Sequence, residues 1–231
     1  MDFELNQDHK VLKDTVRNFV VNEIAPLAID IDEKHEIPKE LVDKLKYQAP
    51  QLLFNAVVKH IGDKEQKIDI LDLGCGTGLS GASFSEHVNQ MVGVDLSPKM
   101  LAKAEERGCY TDLVQADVCD AMKQCRQKFD LVLSADVFIY IGALEEVFTL
   151  TTKLLNPGGM FAFSIEKQRT GLDYRLRLTG RYAHSLDYIR RLAKAEGFEE
   201  VGYTSAVLRY ERGTPVAGSI IVLRRPCKHY Y

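Results

Sequence analysis

Apolar positions change their spacing twice along the chain, and the changes divide it into three stretches. Over the first 45 residues, Val11, Leu12, Val16, Phe19 and Val20 recur on one face at helical spacing, with Asn6 or Asp8 available as N-cap. Pro26 ends or kinks that helix. A second helix begins near Pro38, which suits a first turn, and runs through Leu41, Val42 and Leu45. A third starts at Ala49-Pro50 and carries Leu52, Leu53, Val57 and Val58. From Lys67 short apolar runs replace the helical period. Strands are predicted at Ile68 to Leu73, Met91 to Asp95, Leu113 to Ala116, Phe129 to Ala135 and Met160 to Ile165. Helices are predicted from Pro98 through Arg107 and near Leu144 to Leu155, with a turn at Asn156-Pro157-Gly158-Gly159.

Strands alternating with helices imply βαβ units and a mainly parallel sheet covered on both faces. The last stretch departs from that grammar. After a helix near Ser185 to Glu196 and a stop at Gly197, two β-rich segments follow directly, Val201 to Tyr210 and Ala217 to Arg225. The connection between them is too short for a crossover helix, so these two strands are expected to be antiparallel. The expected fold class is therefore α/β: a mainly parallel sheet closed by an antiparallel C-terminal hairpin, plus N-terminal helices.

Composition narrows the function. The chain has 231 residues, 45% apolar and 27% charged, as in ordinary globular proteins, so neither disorder nor a fibrous chain is expected. Its net charge of −3 offers no global positive field for nucleic acid. The five cysteines, Cys75, Cys109, Cys119, Cys125 and Cys227, form no CxxC pair, so neither a zinc site nor a disulfide framework is indicated and no metal is expected. Reduced thiols, a start (MDFELNQDHK) without an apolar signal region, and no run approaching ~20 apolar residues together lead us to expect a cytoplasmic protein without a membrane span.

The chemistry concentrates at Asp72-Leu73-Gly74-Cys75-Gly76-Thr77-Gly78, a strand-to-helix turn where glycines let the backbone bend sharply and a ligand approach closely. Asp95 ends the next strand, where an acid can accept both hydroxyl protons of a ribose. Loop and acid together indicate a nucleoside cofactor; a plain tight turn and a capping Asp would explain each piece but not their joint placement. Gly76-Thr77-Gly78-Leu79-Ser80-Gly81 also has the GxGxxG spacing of NAD enzymes, a weak motif by itself. Two features point away from NAD: an acid before the loop, awkward near a pyrophosphate but useful beside an ammonium group, and a chain that ends in a strand pair with no separate substrate domain.

ILDLGCGTG, VGVDLSPKML, QADV, FDLVLSADVFIYIG and LNPGG, in that order and spacing, resemble class I S-adenosylmethionine-dependent methyltransferases. KLKYQAPQLL, together with GRYAHS, YIRRLAKAEGFE and LRYERGTPVAG, resembles the subgroup of predicted small methyltransferases often fused to tetratricopeptide repeats. The resemblance implies a Rossmann-like, seven-stranded sheet and S-adenosyl-L-methionine as cofactor. It places the methionine moiety on Asp72 and the backbone of Gly74, Cys75, Gly76 and Gly78, and the ribose on Asp95. Leu96 and Met100 would pack on the adenine faces, and Asp117 with Val118 would read the adenine edge. Ala135 and Asp136 would face the methionine end. Core packing for Leu96 and Met100, and helix capping for Asp117, are the competing readings. LKDTVRNFVVNEIAPLAIDIDEKHEIPKELVDKL is similar to the first helices of acyl-CoA dehydrogenases, and nothing after Tyr47 continues that match. Residues 1–45 are accordingly expected to be a helical appendage and 46–231 the methyltransferase domain.

Methyl transfer from a sulfonium is an in-line displacement in which the protein aligns the nucleophile and excludes water. An oxygen or nitrogen acceptor can need a general base. Asp136, Tyr140, Glu166, Tyr182 and His184 are candidates, and His184 is favoured because imidazole titrates near neutrality; a surface or N-cap histidine before the following helix is its alternative. Tyr47 and Tyr182 are candidate substrate contacts, with Tyr140 a further aromatic wall. Arg169, Arg175, Arg177 and Arg181 could meet an acidic substrate, or form a solvated basic run. The expected partner is a small-molecule methyl acceptor, with no nucleic acid and no membrane, in a monomer or homodimer. A noncatalytic module that keeps the cofactor pocket, and an NAD-type oxidoreductase, are the alternatives.

Overall fold

The computed structural model describes residues 48–61, 67–169, 171–211 and 214–227. The helices expected before residue 48, and Tyr47 with them, lie outside the described residues.

Helix α1 (Ala49–Val57) opens with Pro50 in its first turn and buries Ala49, Pro50, Leu53 and Val57. The Gln48 N–H just before it donates to the Leu208 carbonyl at 3.0 Å, which ties the chain to the far edge of the sheet. Strand β1 (Ile68–Leu73) leads into α2 (Leu79–Phe84), and β2 (Val88–Asp95) into α3 (Pro98–Glu106). Ser97 caps α3 by accepting from the Met100 N–H. Next come β3 (Asp112–Gln115), α4 (Val118–Gln124), β4 (Phe129–Ser134), α5 (Glu145–Leu154) and β5 (Leu155–Glu166). A small two-stranded sheet, β6 (Tyr174–Leu176) with β7 (Tyr182–His184), precedes α6 (Leu186–Ala195). Ser185 caps α6 through the Tyr188 N–H. Strands β8 (Glu199–Glu211) and β9 (Thr214–Arg224) close the chain.

The main sheet has the order β3-β2-β1-β4-β5-β9-β8. The first five strands are parallel, whereas β9 runs antiparallel to both β5 and β8, as the short connection requires. This is the expected seven-stranded, Rossmann-like class I methyltransferase arrangement. The central strands β1 and β4 are buried almost throughout because both their faces are covered. One face carries Leu71, Leu73, Val132, Phe161 and Phe163 against α4, α5 and α6; the other carries Ile70, Leu131, Leu133, Ala162 and Val222 against α1 and α2. Five phenylalanines, Phe138, Phe148, Phe161, Phe163 and Phe198, interlock on the first face with ring centroids 4.6–6.3 Å apart.

Three elements differ from the sequence reading, the first being α4, a helix after β3 that the apolar pattern did not place. The Asn156-Pro157-Gly158-Gly159 segment is a kink within β5 rather than a turn before it: Leu155 already pairs with Phe129, the register then shifts, and Gly158 takes φ 81°. Its N–H donates to the Arg225 carbonyl at 2.8 Å, so β9 holds the kink in the sheet. The β6–β7 hairpin has no counterpart in the expected elements. Its strands are three residues each, and they are fixed by tertiary contacts: a bridge between Lys167 and His184, and the Ser185 N–H donating to the Asp173 carbonyl.

Candidate functional site

β1 and β4 are neighbours although their connections lead to opposite halves of the sheet. That switch in strand order opens a crevice at the carboxyl ends of the strands, the usual ligand position in such sheets. A small cleft of about 80 Å³ lies there, lined by Pro50, Gly74, Cys75, Gly76, Thr77, Leu79, Ser80 and Ala135.

The loop after β1 is built on alternate left-handed glycines, Gly74 (φ 67°), Gly76 (φ 55°) and Gly78 (φ 81°), a conformation that penalises any Cβ. A Cβ at Gly74 would sit 2.2 Å from Val137 Cγ2, whereas at Gly76 nothing lies within 4 Å of it. Gly76 therefore keeps open a space that the protein itself does not fill. The Cys75 N–H donates to the Val94 carbonyl (2.9 Å) and the Gly76 N–H to Asp95 Oδ2 (2.9 Å), which pins the loop to the end of β2. Asp95 Oδ1 accepts from the Ser97 N–H at 2.8 Å, so this carboxylate is oriented by two backbone donors while remaining half-buried.

Behind the loop, Asp72 is fully buried. Its Oδ2 accepts from the Tyr110 hydroxyl at 2.8 Å, and its Oδ1 has no partner. Burial raises its pKa to about 7; the tyrosine hydrogen bond opposes that rise, and the charge of Asp95 adds to it. Burial, with the charges of Asp72 and Asp95 next, pushes the Cys75 thiol up, so it stays protonated and is no nucleophile.

Beyond Asp95, Leu96 and Met100 are 66% and 39% exposed, large apolar side chains held at the surface beside that carboxylate. Asp117 is the N-cap of α4, accepting from the Cys119 and Asp120 N–H groups at 2.9 and 3.4 Å, and Val118 is buried next to it. The capping reading of Asp117 thus describes its observed bonds. Ala135 lines the cleft at the end of β4.

Asp136 follows it with φ 57°, the one non-glycine residue in the left-handed region among the described residues. Ser164 fixes it twice, accepting from its N–H at 2.8 Å and donating to Oδ1 at 3.2 Å. Arg209 donates to its Oδ2 at 3.0 Å, to Glu166, and to Glu211 at 2.8 Å. Arg177 and Arg181 of the hairpin complete the cluster by pairing with Glu166 and Glu211. Three acids and three arginines thus join the end of β4 to β5, β8 and the β6–β7 hairpin. Burial raises the Asp136 pKa, and Arg209 opposes the rise.

The remaining candidates divide. Tyr140 is 67% exposed on the turn after β4, and Tyr182 lies half-buried with its ring over Gly142. His184 is buried in β7, stacked on Tyr188, and is neither at the surface nor the N-cap of the helix, which is Ser185. Its Nε2 lies 3.0 and 2.9 Å from the Ile141 and Gly142 carbonyls, so that nitrogen carries the hydrogen, and Nδ1 is left bare without a partner. Burial lowers its pKa. Of the four arginines weighed for an acidic substrate, Arg177 and Arg181 are committed to carboxylates, while Arg169 and Arg175 are exposed. Tyr110 and Arg209, which orient Asp72 and Asp136, are not among the site residues expected from the sequence, although Arg209 lies within LRYERGTPVAG.

The residues suit a cofactor with a cationic amino-acid end and a nucleoside: a buried carboxylate oxygen lacks a partner, an open glycine position faces the cleft, and an oriented acid sits beside exposed apolar side chains. Among the described residues no cluster suits a metal ion, and no helix is long and apolar enough to cross a membrane.

Comparisons with known proteins agree with that geometry. Residues 70–159 match the methyltransferase domain family, and residues 6–49 match the acyl-CoA dehydrogenase N-terminal domain. The chain is 32% identical over 95 residues to a malonyl-[acyl-carrier protein] O-methyltransferase of Enterobacter lignolyticus, covering 41% of this chain and 38% of the relative. It is 26% identical over 185 residues to a ubiquinone biosynthesis O-methyltransferase of Dechloromonas aromatica, covering 69% and 78%. The chain spans less than half the length of several relatives it matches, the first of these two among them. The magnesium protoporphyrin IX methyltransferase of Synechocystis, solved with bound S-adenosylmethionine, superposes with a TM-score of 0.61 at 17% identity over 97% of this chain and all of that one.

Proposed function

We propose that this chain, whose residues 70–159 match the methyltransferase domain family, transfers the methyl group of S-adenosylmethionine to an oxygen or nitrogen of a small molecule. The observation that carries this reading is the unpartnered Oδ1 of buried Asp72 behind a glycine loop, with Asp95 fixed at the end of the next strand. Asp72 would hold the ammonium group. The backbone of Gly74, Cys75, Gly76 and Gly78 would lie along the methionine moiety, and Asp95 would accept from the ribose hydroxyls. Leu96 and Met100 would sandwich the adenine, with Asp117 and Val118 at its edge. When bound, the cofactor supplies an electrophilic methyl group on a sulfonium, so the protein has only to align an acceptor and keep water out.

On the acceptor side, Asp136 is the first choice for the general base, since it follows cleft-lining Ala135 and keeps a raised pKa. Tyr140, Tyr182 and His184 would shape the acceptor's surroundings, and Tyr47 remains a candidate contact. Both named relatives are O-methyltransferases, which supports an oxygen nucleophile. The net charge of −3 favours a small acceptor over a polynucleotide. We assign the appendage to residues 1–45 and the catalytic domain to 46–231, in a cytoplasmic monomer or homodimer. An untargeted metabolite screen with methyl-labelled cofactor tests the activity. Label appearing in a small molecule is expected; a protein that binds the cofactor but labels nothing across broad metabolite pools would overturn it in favour of a noncatalytic binding module.

A further inference from the structure

Tyr110 enters the fold through a slot made of glycines. A Cβ at Gly81 in α2 would lie 2.6 Å from its ring, one at Gly93 in β2 would lie 2.9 Å away, and one at Gly78 in the loop would lie 3.0 Å away. Gly81 is the residue that gave the sequence its GxGxxG spacing, and here it makes room for an aromatic ring. The neighbouring Thr111 fixes the backbone, donating its N–H to the Met91 carbonyl (2.7 Å) and accepting the Met91 N–H on Oγ1 (3.1 Å). At the end of the slot, the hydroxyl meets Asp72 Oδ2 at 2.8 Å.

We propose that Tyr110 is a positioning residue for the cofactor: it holds one oxygen of Asp72, so that the other is the single open acceptor for the incoming ammonium group. The proposal rests on the cofactor reading given above. The hydroxyl faces a carboxylate, and both burial and that charge push its own pKa up, so it stays a donor. Donation to the charged form of Asp72 opposes its protonation. The other titratable groups around Asp72 are Asp95 at the end of β2, Cys75 in the loop and Cys109 before β3; the cation on this loop, Arg107 after α3, packs with Tyr110 against Gly78 and donates from Nε to the Thr77 carbonyl, not to Asp72. Loss of the hydroxyl therefore removes a stabiliser of the carboxylate that its other neighbours do not replace.

Calorimetric titration with S-adenosylhomocysteine, which keeps the same amino-acid end, tests this between about pH 5.5 and about pH 8. Wild-type affinity is expected to rise with pH through about 7. Tyr110→Phe keeps the ring in its slot and is expected to bind about tenfold more weakly at neutral pH, with the rise displaced to higher pH. In ligand-free protein labelled with 13C at aspartate carboxyls, the Asp72 resonance, identified by its loss in Asp72→Asn, is expected to titrate at higher pH in Tyr110→Phe. An unchanged midpoint for Asp72 in the folded variant overturns the positioning role and leaves the cofactor reading standing. Absence of binding by the wild type at every pH overturns the cofactor reading itself.

Discussion

Asp72 is an acid kept where its charge is disfavoured, and that tension has two measurable sides. Its folded pKa, about 7, lies above the unfolded value of 3.8, so the native state binds more protons between those values. Stability from this group is greatest below the unfolded value, declines as pH rises, and is fully lost above about pH 7. Asp72→Asn should therefore make the ligand-free protein more stable at pH 8, by on the order of a few kcal/mol, while cofactor affinity falls at least about tenfold. Thermal unfolding and calorimetry on the same sample check both; a variant that binds as well as the wild type would remove Asp72 from the site. Gly76→Val should fold with modest strain and bind poorly, because its side chain enters space that the protein leaves open. These residues were legible in the sequence because strand end, glycine loop and next strand end follow one another with short spacing. Tyr110 and Arg209 were not, since what they do depends on partners 38 and 73 positions away.

At the scale of elements, the acid–arginine cluster joins four pieces of chain. Arg209→Ala would strand the buried Asp136 carboxylate without its cation and leave Glu166 with Arg177 alone, and should cost about 3–5 kcal/mol, read from urea unfolding. A loss below about 1 kcal/mol would mean that water or the hairpin arginines already compensate them. Asp117→Ala should cost about 1 kcal/mol as a lost cap. A drop in cofactor affinity beyond that would assign Asp117 to the adenine edge as well. Most strands and helices could be placed from apolar periodicity, because the sheet is covered on both faces and its strands read as continuous runs. The β6–β7 hairpin escaped that reading: Tyr174, Arg175 and Leu176 are exposed, and only their pairing with His184, Ala183 and Tyr182 makes them a strand.

At the scale of the whole molecule, the boundary between appendage and domain can be tested by where the chain is cut. A chain begun at Pro38 should keep its circular dichroism and its cofactor affinity. Further removal of α1 should not be tolerated, because Leu53 and Val57 are fully buried and Pro50 lines the cleft. Folding of the Pro38 chain with loss of all affinity would place the first helices in the site. The order of the strands also bears on how the protein is made. β9 is the last strand of the sheet to be synthesised, yet it lies between β5 and β8. Until it emerges from the ribosome, β5 presents a bare edge over Met160 to Glu166 and β8 has no neighbour. The glycine loop, β1, β2 and β4 can meet during translation, but the sheet closes only after Arg224 is free of the exit tunnel. During that interval the nascent chain offers an open edge to chaperones, and to other nascent copies on the same messenger.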